Sequence, residues 1–187
     1  DREFALSPGS YQAKLVVRTD IELNKAQEEL DKKLTGLYTL QRLSRTISST
    51  FEETQIFEKI DSAYLEDLGF EKALAFLWDE AEKIFVVRLN IGYADQELEQ
   101  ICRTVASQKE VLVEVMKNEK TISPALLQKE GGNNGNRFSF FRTRSFVLSP
   151  ILPKEGHRGI LFVGADKPDT LVTEGDEELI TILANQL

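Results

Sequence analysis

The sequence has little of the chemistry that metal sites, disulfides and membrane spans require. It contains one cysteine, Cys102, and one histidine, His157, in 187 residues. A single cysteine cannot form an internal disulfide, and protein-built zinc sites generally use three or four Cys, His or carboxylate ligands. No apolar run approaches the roughly 18 residues that a membrane span needs, and there is no secretory signal. We therefore expect a cytoplasmic protein with no metal site and no membrane segment in this chain.

Positive charge is also scarce. The 23 Lys and Arg residues are outnumbered by 31 Asp and Glu residues, and the formal net charge is -8. This balance argues against nucleic acid as a partner, because binding phosphates requires a basic face that releases counterions. A content of 41% hydrophobic and 29% charged residues is typical of a globular domain. Because the chain begins at Asp1 rather than Met and ends in a helical pattern, we expect it to be a piece of a larger protein.

The first 48 residues predict a short strand followed by a long helix. Tyr11 to Arg18 form a strand-like run, and Thr19 stands three residues before Glu22, which is the spacing of a capping box. A helix is therefore predicted over 21–48. Its apolar positions follow a heptad rhythm that Lys33 interrupts; they are Leu23, Ala26, Leu30, Leu37 and Leu40. This pattern favours a short parallel coiled coil, and so a homodimer; the alternative is a helix that lies along its own domain.

The rest of the chain alternates helices with hairpins. Two apolar runs, KALAFLW and KIFVVRL, are joined by DEAEK, and a second hairpin is predicted within 145–168. One helix ends at Gly69, the next has Asp95 as its cap, and a capping box of Thr173 and Asp176 begins the last one. The run EVLVEVMKN is ambiguous, because its β-branched residues favour a strand and its position favours a helix.

These elements predict an α+β fold. Strands joined by hairpins imply a central antiparallel sheet with helices on both faces. The first and last helices would cover one face, and the middle helix and the loop after it the other, so that the sheet is the floor of a cup. A six-stranded version needs two more short strands, at TIS (121–123) and FSF (138–140).

The cup predicts where a ligand would bind. Side chains alternate along a strand, so the small residues Ala73 and Ala75 face packed helices, while Phe76 and Trp78 face the pocket; the alternative is that Trp78 belongs to the core. Polar contacts from the roof are predicted for Thr121, Ser123, Asn134 and Asn136. An open cavity of about 300 Å³ or more would indicate a sensor. A cup filled by Phe138, Phe140 or Phe141 would indicate a scaffold.

Three segments resemble a GAF domain, the small-molecule-sensing module of signalling proteins: LYTLQRLSRTISSTFEETQIFEKI, FRTRSFVLSPIL and RGILFVGADKPDTLVTEGDEELITILANQL. VVRTDIELNKAQEEL, near the N-terminus, is similar to the junction at which a PAS domain ends in a strand and continues into a signalling helix. The resemblance implies the end of a PAS domain at 1–20, a signalling helix at 21–48 and a GAF domain at 37–187.

The resemblance also provides a test for cyclic nucleotides. GAF domains that bind them carry an Asn-Lys pair, then a Phe, then Asp-Glu. Lys167, Asp176 and Glu177 match that pattern, whereas Asp166 replaces the Asn and Val172 replaces the Phe. In FRTRS, Arg142 and Arg144 would pair with a phosphate or lie solvated at the entrance of a strand. Asp166 and the two arginines are kept as candidate ligand contacts, and a cyclic nucleotide as a minor alternative.

Cofactors and catalysis are not predicted. Bilin-binding GAF domains use a thioether cysteine beside a histidine, but Cys102 is followed by Arg103 and lies on an apolar helix face. Haem needs an axial ligand, and His157 lies at the tip of a hairpin. A nucleophile needs a base oriented beside it, and none is evident, so we expect no catalysis in this fragment.

The predicted function is therefore regulatory. The chain is interpreted as the small-molecule-sensing GAF module of a signal-transduction protein that dimerises through its N-terminal helix and acts on an output domain of the same chain. A sensor histidine kinase is the preferred output; a diguanylate cyclase, a sigma-54-type activator or a phosphatase are alternatives. The other class of function is a ligand-free dimerisation scaffold.

Overall fold

The computed structural model describes residues 8–48, 53–129, 134–152, 158–167 and 172–187. The helices are α1 (Pro8–Ser48), α2 (Glu53–Glu58), α3 (Ser62–Asp67), α4 (Asp95–Ser107), α5 (Lys109–Asn118), α6 (Pro124–Lys129) and α7 (Glu174–Gln186). The strands are β1 (Lys72–Asp79), β2 (Ile84–Ile91), β3 (Ser145–Ile151) and β4 (Gly159–Ala165), and a 3₁₀ helix, Asn134–Phe141, precedes β3.

The four strands form one antiparallel sheet in the order β2-β1-β4-β3. Both predicted hairpins are confirmed, because β1 pairs with β2 and β3 with β4. Pro150 is tolerated in β3 because this strand lies at the edge of the sheet. The prediction of two additional strands, at 121–123 and 138–140, was wrong. Ile122 makes only an isolated bridge with Leu148, and residues 138–140 lie in the 3₁₀ helix.

One face of the sheet is covered by α1 and α7, as predicted, and we call it the α1–α7 face. Ala73 and Ala75 of β1 are fully buried here, and their small side chains let the helices approach the sheet. The two helices contribute leucines to this core: Leu40, Leu43, Leu179 and Leu183. The C-terminal part of α1 is thus a component of the domain and not an appendage.

The opposite face is covered by α4, α5, α6 and the 3₁₀ helix, and we call it the α4–α5 face. The ambiguous run EVLVEVMKN is helical, because Leu112, Val115 and Met116 reach the core at the i, i+3, i+4 spacing of a helix. The cap of α4 is Ala94 and not Asp95, which is its first helical residue. Asp95 still favours this helix end, because a carboxylate in the first turn complements the helix dipole.

The strand predicted for Tyr11 to Arg18 was wrong. These residues belong to α1, a continuous helix of 41 residues. Thr19 does not cap a helix; its hydroxyl donates a hydrogen bond to the Leu15 carbonyl 2.9 Å away, one turn earlier. A helix satisfies its own backbone groups, whereas a strand needs a neighbour, and the described residues provide none here. The PAS interpretation of residues 1–20 loses the strand on which it depended.

Gly36 sets the distance between α1 and α7. A Cβ atom at this position would lie 2.5 Å from Cδ1 of Leu179, which is closer than real Cβ atoms approach a neighbour. Leu179 is itself buried, so it cannot move aside into solvent. The glycine lowers the intrinsic helix propensity of α1, but it allows the two helices to pack in contact.

Among the described helices, none combines the length and the apolar composition that crossing a bilayer requires.

We expect Gly36→Val to lower the free energy of unfolding by about 1–3 kcal/mol, because overpacking displaces the buried Leu179. Chemical denaturation measures this loss. Thr35→Val is the matched control: the same side chain enters α1 at a neighbouring exposed position, and the change should stay within about 0.5 kcal/mol. Equal effects of the two substitutions would show that the Gly36 contact does not limit the packing.

Candidate functional site

The interior of the predicted cup is filled by phenylalanine side chains. Phe141 of the 3₁₀ helix is fully buried and stacks on Phe162 of β4, with ring centroids 4.0 Å apart and planes at 14°. Phe138 is also buried and packs on Phe146, 5.7 Å away. Two of the three residues named as possible plugs therefore lie in the cup, and Phe140 is half-buried against Phe141.

A hydrogen bond holds this plug in place. The hydroxyl of Tyr93 donates to the backbone carbonyl of Phe141, 2.6 Å away. Burial raises the pKa of Tyr93, and the nearby carboxylates of Asp166 and Glu97 add to the effect. The phenol therefore stays protonated and remains a donor at physiological pH, so that the end of the 3₁₀ helix stays over the sheet.

The two predicted floor residues have different environments. Phe76 is buried within the aromatic core, with Phe141 6.3 Å and Phe85 6.4 Å away. Trp78, at the end of β1, is half-buried and faces a cleft. Its ring lies 4.9 Å from Phe85 and its indole Nε1 donates to Glu80, 2.6 Å away, so the ring orientation is held from two sides.

The cleft at Trp78 has a volume of about 740 Å³ and lies outside the filled cup, between the β1–β2 turn, α5 and the start of β4. Charged side chains surround it: Glu80, Lys83, Lys109, Glu110, Glu114, Lys117 and Arg158. Hydrogen bonds from Lys83 and Trp78 lower the pKa of Glu80, which therefore is ionised at neutral pH. Lys109 reaches across from α5 and donates to the backbone carbonyl of Lys83, 3.1 Å away.

The basic residues of this cleft were not identified from the sequence. Lys109, Val113 and Lys117 are spaced by four residues, so a helix presents all three on one side. This spacing predicts a shared face only if EVLVEVMKN is assigned as a helix. No sequence pattern places Arg158 at the cleft, because its position relative to α5 depends on the register of the second hairpin.

Thr121 and Ser123 do not contribute to the roof of the cup. Ile122 pairs with Leu148 at the sheet edge, and its neighbours consequently point to the α1–α7 face. The hydroxyl of Thr121 bonds to those of Ser149 and Thr181, at 3.0 and 2.6 Å. Ser123 is fully buried and donates to the carboxylate of Glu177 in α7. These residues connect the segment after α5 to the last helix.

Two ion pairs connect that last helix to α1. The predicted capping box is confirmed: the Thr173 hydroxyl accepts from the Asp176 amide at 3.3 Å, and the Asp176 carboxylate accepts from the Thr173 amide at 2.9 Å. Asp176 is buried and also pairs with Lys32 of α1 at 3.1 Å, while Lys33 pairs with Glu178 at 2.9 Å. Lys33, which interrupts the heptad rhythm, has this contact within its own chain.

The predicted phosphate and ligand contacts are dispersed. Arg142 has a φ of 55° and its guanidinium donates to the Gln100 side chain, whereas Arg144 is exposed. Asp166 pairs with Lys72 at 3.0 Å, and that ammonium lies 4.8 Å from the Tyr93 ring centroid. Arg142, Arg144 and Asp166 are not among the residues that line the cleft at Trp78.

The remaining candidates concern cofactors. Cys102 is half-exposed on α4, and burial raises the pKa of its thiol, which makes it a weak nucleophile. Within the described ranges, no group of three or more His, Cys, Asp or Glu side chains is placed to hold a metal ion. The side chains of Asn134 and Asn136, and all of His157, lie outside the described residues.

We expect Phe141→Ala to lower the free energy of unfolding by about 3–5 kcal/mol, because it opens a cavity between the sheet and the 3₁₀ helix. Phe140→Ala removes the same side chain from the half-buried neighbouring position and should cost less than half as much. Urea denaturation of the two variants measures the difference. A loss that is equal for both would contradict the assignment of Phe141 as the plug.

Comparison with solved structures identifies the fold. The chain is similar to the GAF domain of an Acinetobacter phosphoenolpyruvate-protein phosphotransferase, with a TM-score of 0.57, 17% identity and coverage of 80% of this chain and 88% of that one. A GAF domain of the corresponding phosphotransferase from Coxiella burnetii matches with a TM-score of 0.56, 15% identity and coverage of 82% and 90%. A GAF domain of a candidate sensor histidine kinase from Pseudomonas syringae pv. tomato matches with a TM-score of 0.52, 12% identity and coverage of 86% and 89%.

No protein-family model matches the chain, and no curated protein matches it significantly. The antiparallel sheet, the helices on both of its faces and the similarity to these domains agree. The fold of this chain is that of a GAF domain.

Proposed function

We propose that this chain is the regulatory, small-molecule-sensing module of a signal-transduction protein, and that α1 transmits its state to an output domain. The observation that carries the proposal is the position of α1. Leu40 and Leu43 are buried in the domain core, whereas Leu23 and Leu30 on the same continuous helix are exposed. A helix built this way connects the interior of the domain to whatever its N-terminal half contacts.

The exposed half of α1 has the pattern of a dimer seam. Leu23, Leu30 and Leu37 are 64%, 58% and 44% exposed, and with Ala26 they follow a heptad spacing. Apolar side chains so exposed in one chain are stabilised when a second copy covers them. Leu40 is only 3% exposed and is removed from the predicted seam, because it packs in the domain core. The proposed seam therefore ends near residue 37.

A continuous set of contacts leads from the cleft to this seam. The segment after α5 is bonded to α7 through Thr121 and Thr181, and α7 contacts α1 through Leu179 and Gly36. A ligand that favours one arrangement of α5 would bias the helices only if its affinity for the two arrangements differs. The proposed module is regulatory in this sense and carries no catalytic step.

The neighbours support a signalling role in bacteria. Two of the similar GAF domains are from phosphoenolpyruvate-protein phosphotransferases and one is from a candidate sensor histidine kinase. A histidine kinase in the same chain remains the preferred output domain, and a cytoplasmic location is proposed with it. The cyclic-nucleotide alternative has less support, because Asp176 is occupied by Thr173 and Lys32 on the α1–α7 face.

A ligand-free scaffold is the second candidate, and one observation favours it. Phe138 and Phe141 fill the cup, so the interior has no space for a small molecule at these residues. A scaffold would use the same α1 seam to dimerise, but it would not respond to a ligand. The two functions therefore differ at the cleft and not at the helix.

We expect the chain to be a dimer and the double variant Leu23→Lys with Leu30→Lys to be a monomer, because four lysines would meet across the seam. Sedimentation velocity measures the change, and a cooperative thermal unfolding transition would show that the variant is folded, at a midpoint lowered by the loss of the dimer. Val17→Lys with Tyr38→Lys is the matched control. Both residues are exposed apolar side chains of α1. Each follows a heptad position of the seam by one residue (position 16 for Val17, Leu37 for Tyr38) and so points away from it, and their replacement should leave the dimer intact.

Native mass spectrometry of the freshly purified chain separates the sensor from the scaffold. For a sensor we expect a dimer with a satellite peak heavier by a small molecule, and loss of that extra mass on denaturation. A dimer with only the bare chain mass would favour the scaffold. A monomer would contradict both candidates, since each requires the α1 seam.

A further inference from the structure

We propose that the cleft at Trp78 is a binding site for an aromatic carboxylate, that is, an organic anion with a flat, apolar ring. This inference rests on the proposed sensing function, for which it supplies the ligand class. The site lies outside the cup, on the side of α5 that faces the β1–β2 turn and Arg158. It is therefore accessible although Phe141 fills the interior.

The charges of the cleft favour an anion. Four cations line it, Lys83, Lys109, Lys117 and Arg158, against three carboxylates, Glu80, Glu110 and Glu114. Two of the carboxylates have partners: Glu80 pairs with Lys83, and Glu114 with Arg137, at 2.7 Å. Lys117 and Arg158 form no direct salt bridge with a described residue, and the positive charge of Arg158 contributes to the lowered pKa of Glu80. The chain has a net charge of -8, so this local excess of positive charge distinguishes the cleft from the rest of the molecule.

The apolar part of the cleft favours a flat ring. Trp78 offers its indole, and Val113 and Met116 of α5 add aliphatic and thioether surface. The indole is held by Phe85 and Glu80, so a ring that stacks on it does not have to order it first. An aromatic ring with one carboxylate fits both the apolar surface and the positive charge of the cleft. The ring packs on Trp78 and the carboxylate reaches Lys117 and Arg158.

The location of the cleft explains how its occupant would act. Val113, Met116 and Lys117 of α5 line the cleft, so a bound molecule lies against this helix. Glu119, with a φ of 54°, is the C-cap of the same helix, and the segment that follows is hydrogen-bonded to α7 at Thr181. Displacement of α5 by a ligand is thus directed toward the helix that packs on α1.

The test uses the indole proton of Trp78, which is the only tryptophan in the chain and gives a single indole signal in a ¹H–¹⁵N NMR spectrum. The probe is 2-naphthoate, added to the full chain. We expect a saturable shift of that signal. The neutral 2-naphthamide should bind at least about tenfold more weakly, since one lost charge-assisted contact is worth about that factor. Inorganic phosphate, which has charge but no ring, should not shift the signal.

Variants locate the carboxylate. Lys117→Gln with Arg158→Gln should weaken 2-naphthoate at least about tenfold and leave 2-naphthamide unchanged. Lys25→Gln, on the exposed part of α1, is the control and should change neither affinity. An unmoved indole signal, equal affinities for naphthoate and naphthamide, or a double variant that binds naphthoate as well as the wild-type chain would each overturn the proposal.

The outcomes for the ligand class and for the function are separable. A chain that dimerises through α1 but does not bind the probe loses the anion site and keeps the signalling helix. A chain that binds the probe through Lys117 and Arg158 but is monomeric keeps the site and loses the proposed function.

Discussion

The contact between Leu179 and Gly36 is the constraint on which the coupling of domain and helix depends. Because residue 36 has no side chain, α1 approaches α7 closely enough for Leu40 and Leu43 to join the core of the sheet. The ion pair of Lys32 with buried Asp176 then holds the first turn of α7 at the same crossing. Packing at this crossing makes the C-terminal third of α1 part of the domain, while the N-terminal half of the same helix stays exposed.

On the α4–α5 face of the sheet, aromatic side chains fill the interior of the cup. Phe141 stacks between the sheet and the 3₁₀ helix, and Tyr93 fixes its carbonyl, so the interior is a packed core. Close packing in such a core leaves no room for a ligand without the loss of several kcal/mol of stability. The cleft at Trp78 lies outside this core, where charged side chains and a half-buried indole lie together. Sensor and scaffold thus share every element except the use of this cleft.

Much of the fold was predictable because its signals are local. The two hairpins, the capping box of Thr173 and Asp176, and Gly69 after α3, with a φ of 85°, follow from turn and cap chemistry within a few residues. Predictions based on β-branched content alone were wrong or undecided. The run from Tyr11 to Arg18 and EVLVEVMKN both became helices, the second because its apolar residues match the helical period where they meet the sheet.

The α+β arrangement and the heptad pattern of α1 can be read from the sequence, because alternation, periodicity and capping act between residues close in the chain. Which side chains share a site depends on how the elements pack against one another. Thr121 and Ser123 point to α7 because Ile122 pairs with the edge of β3, and Lys117 and Arg158 line the same cleft because α5 packs across the sheet. Such contacts join residues tens of positions apart, and their geometry depends on sheet register and helix packing, which no local pattern encodes.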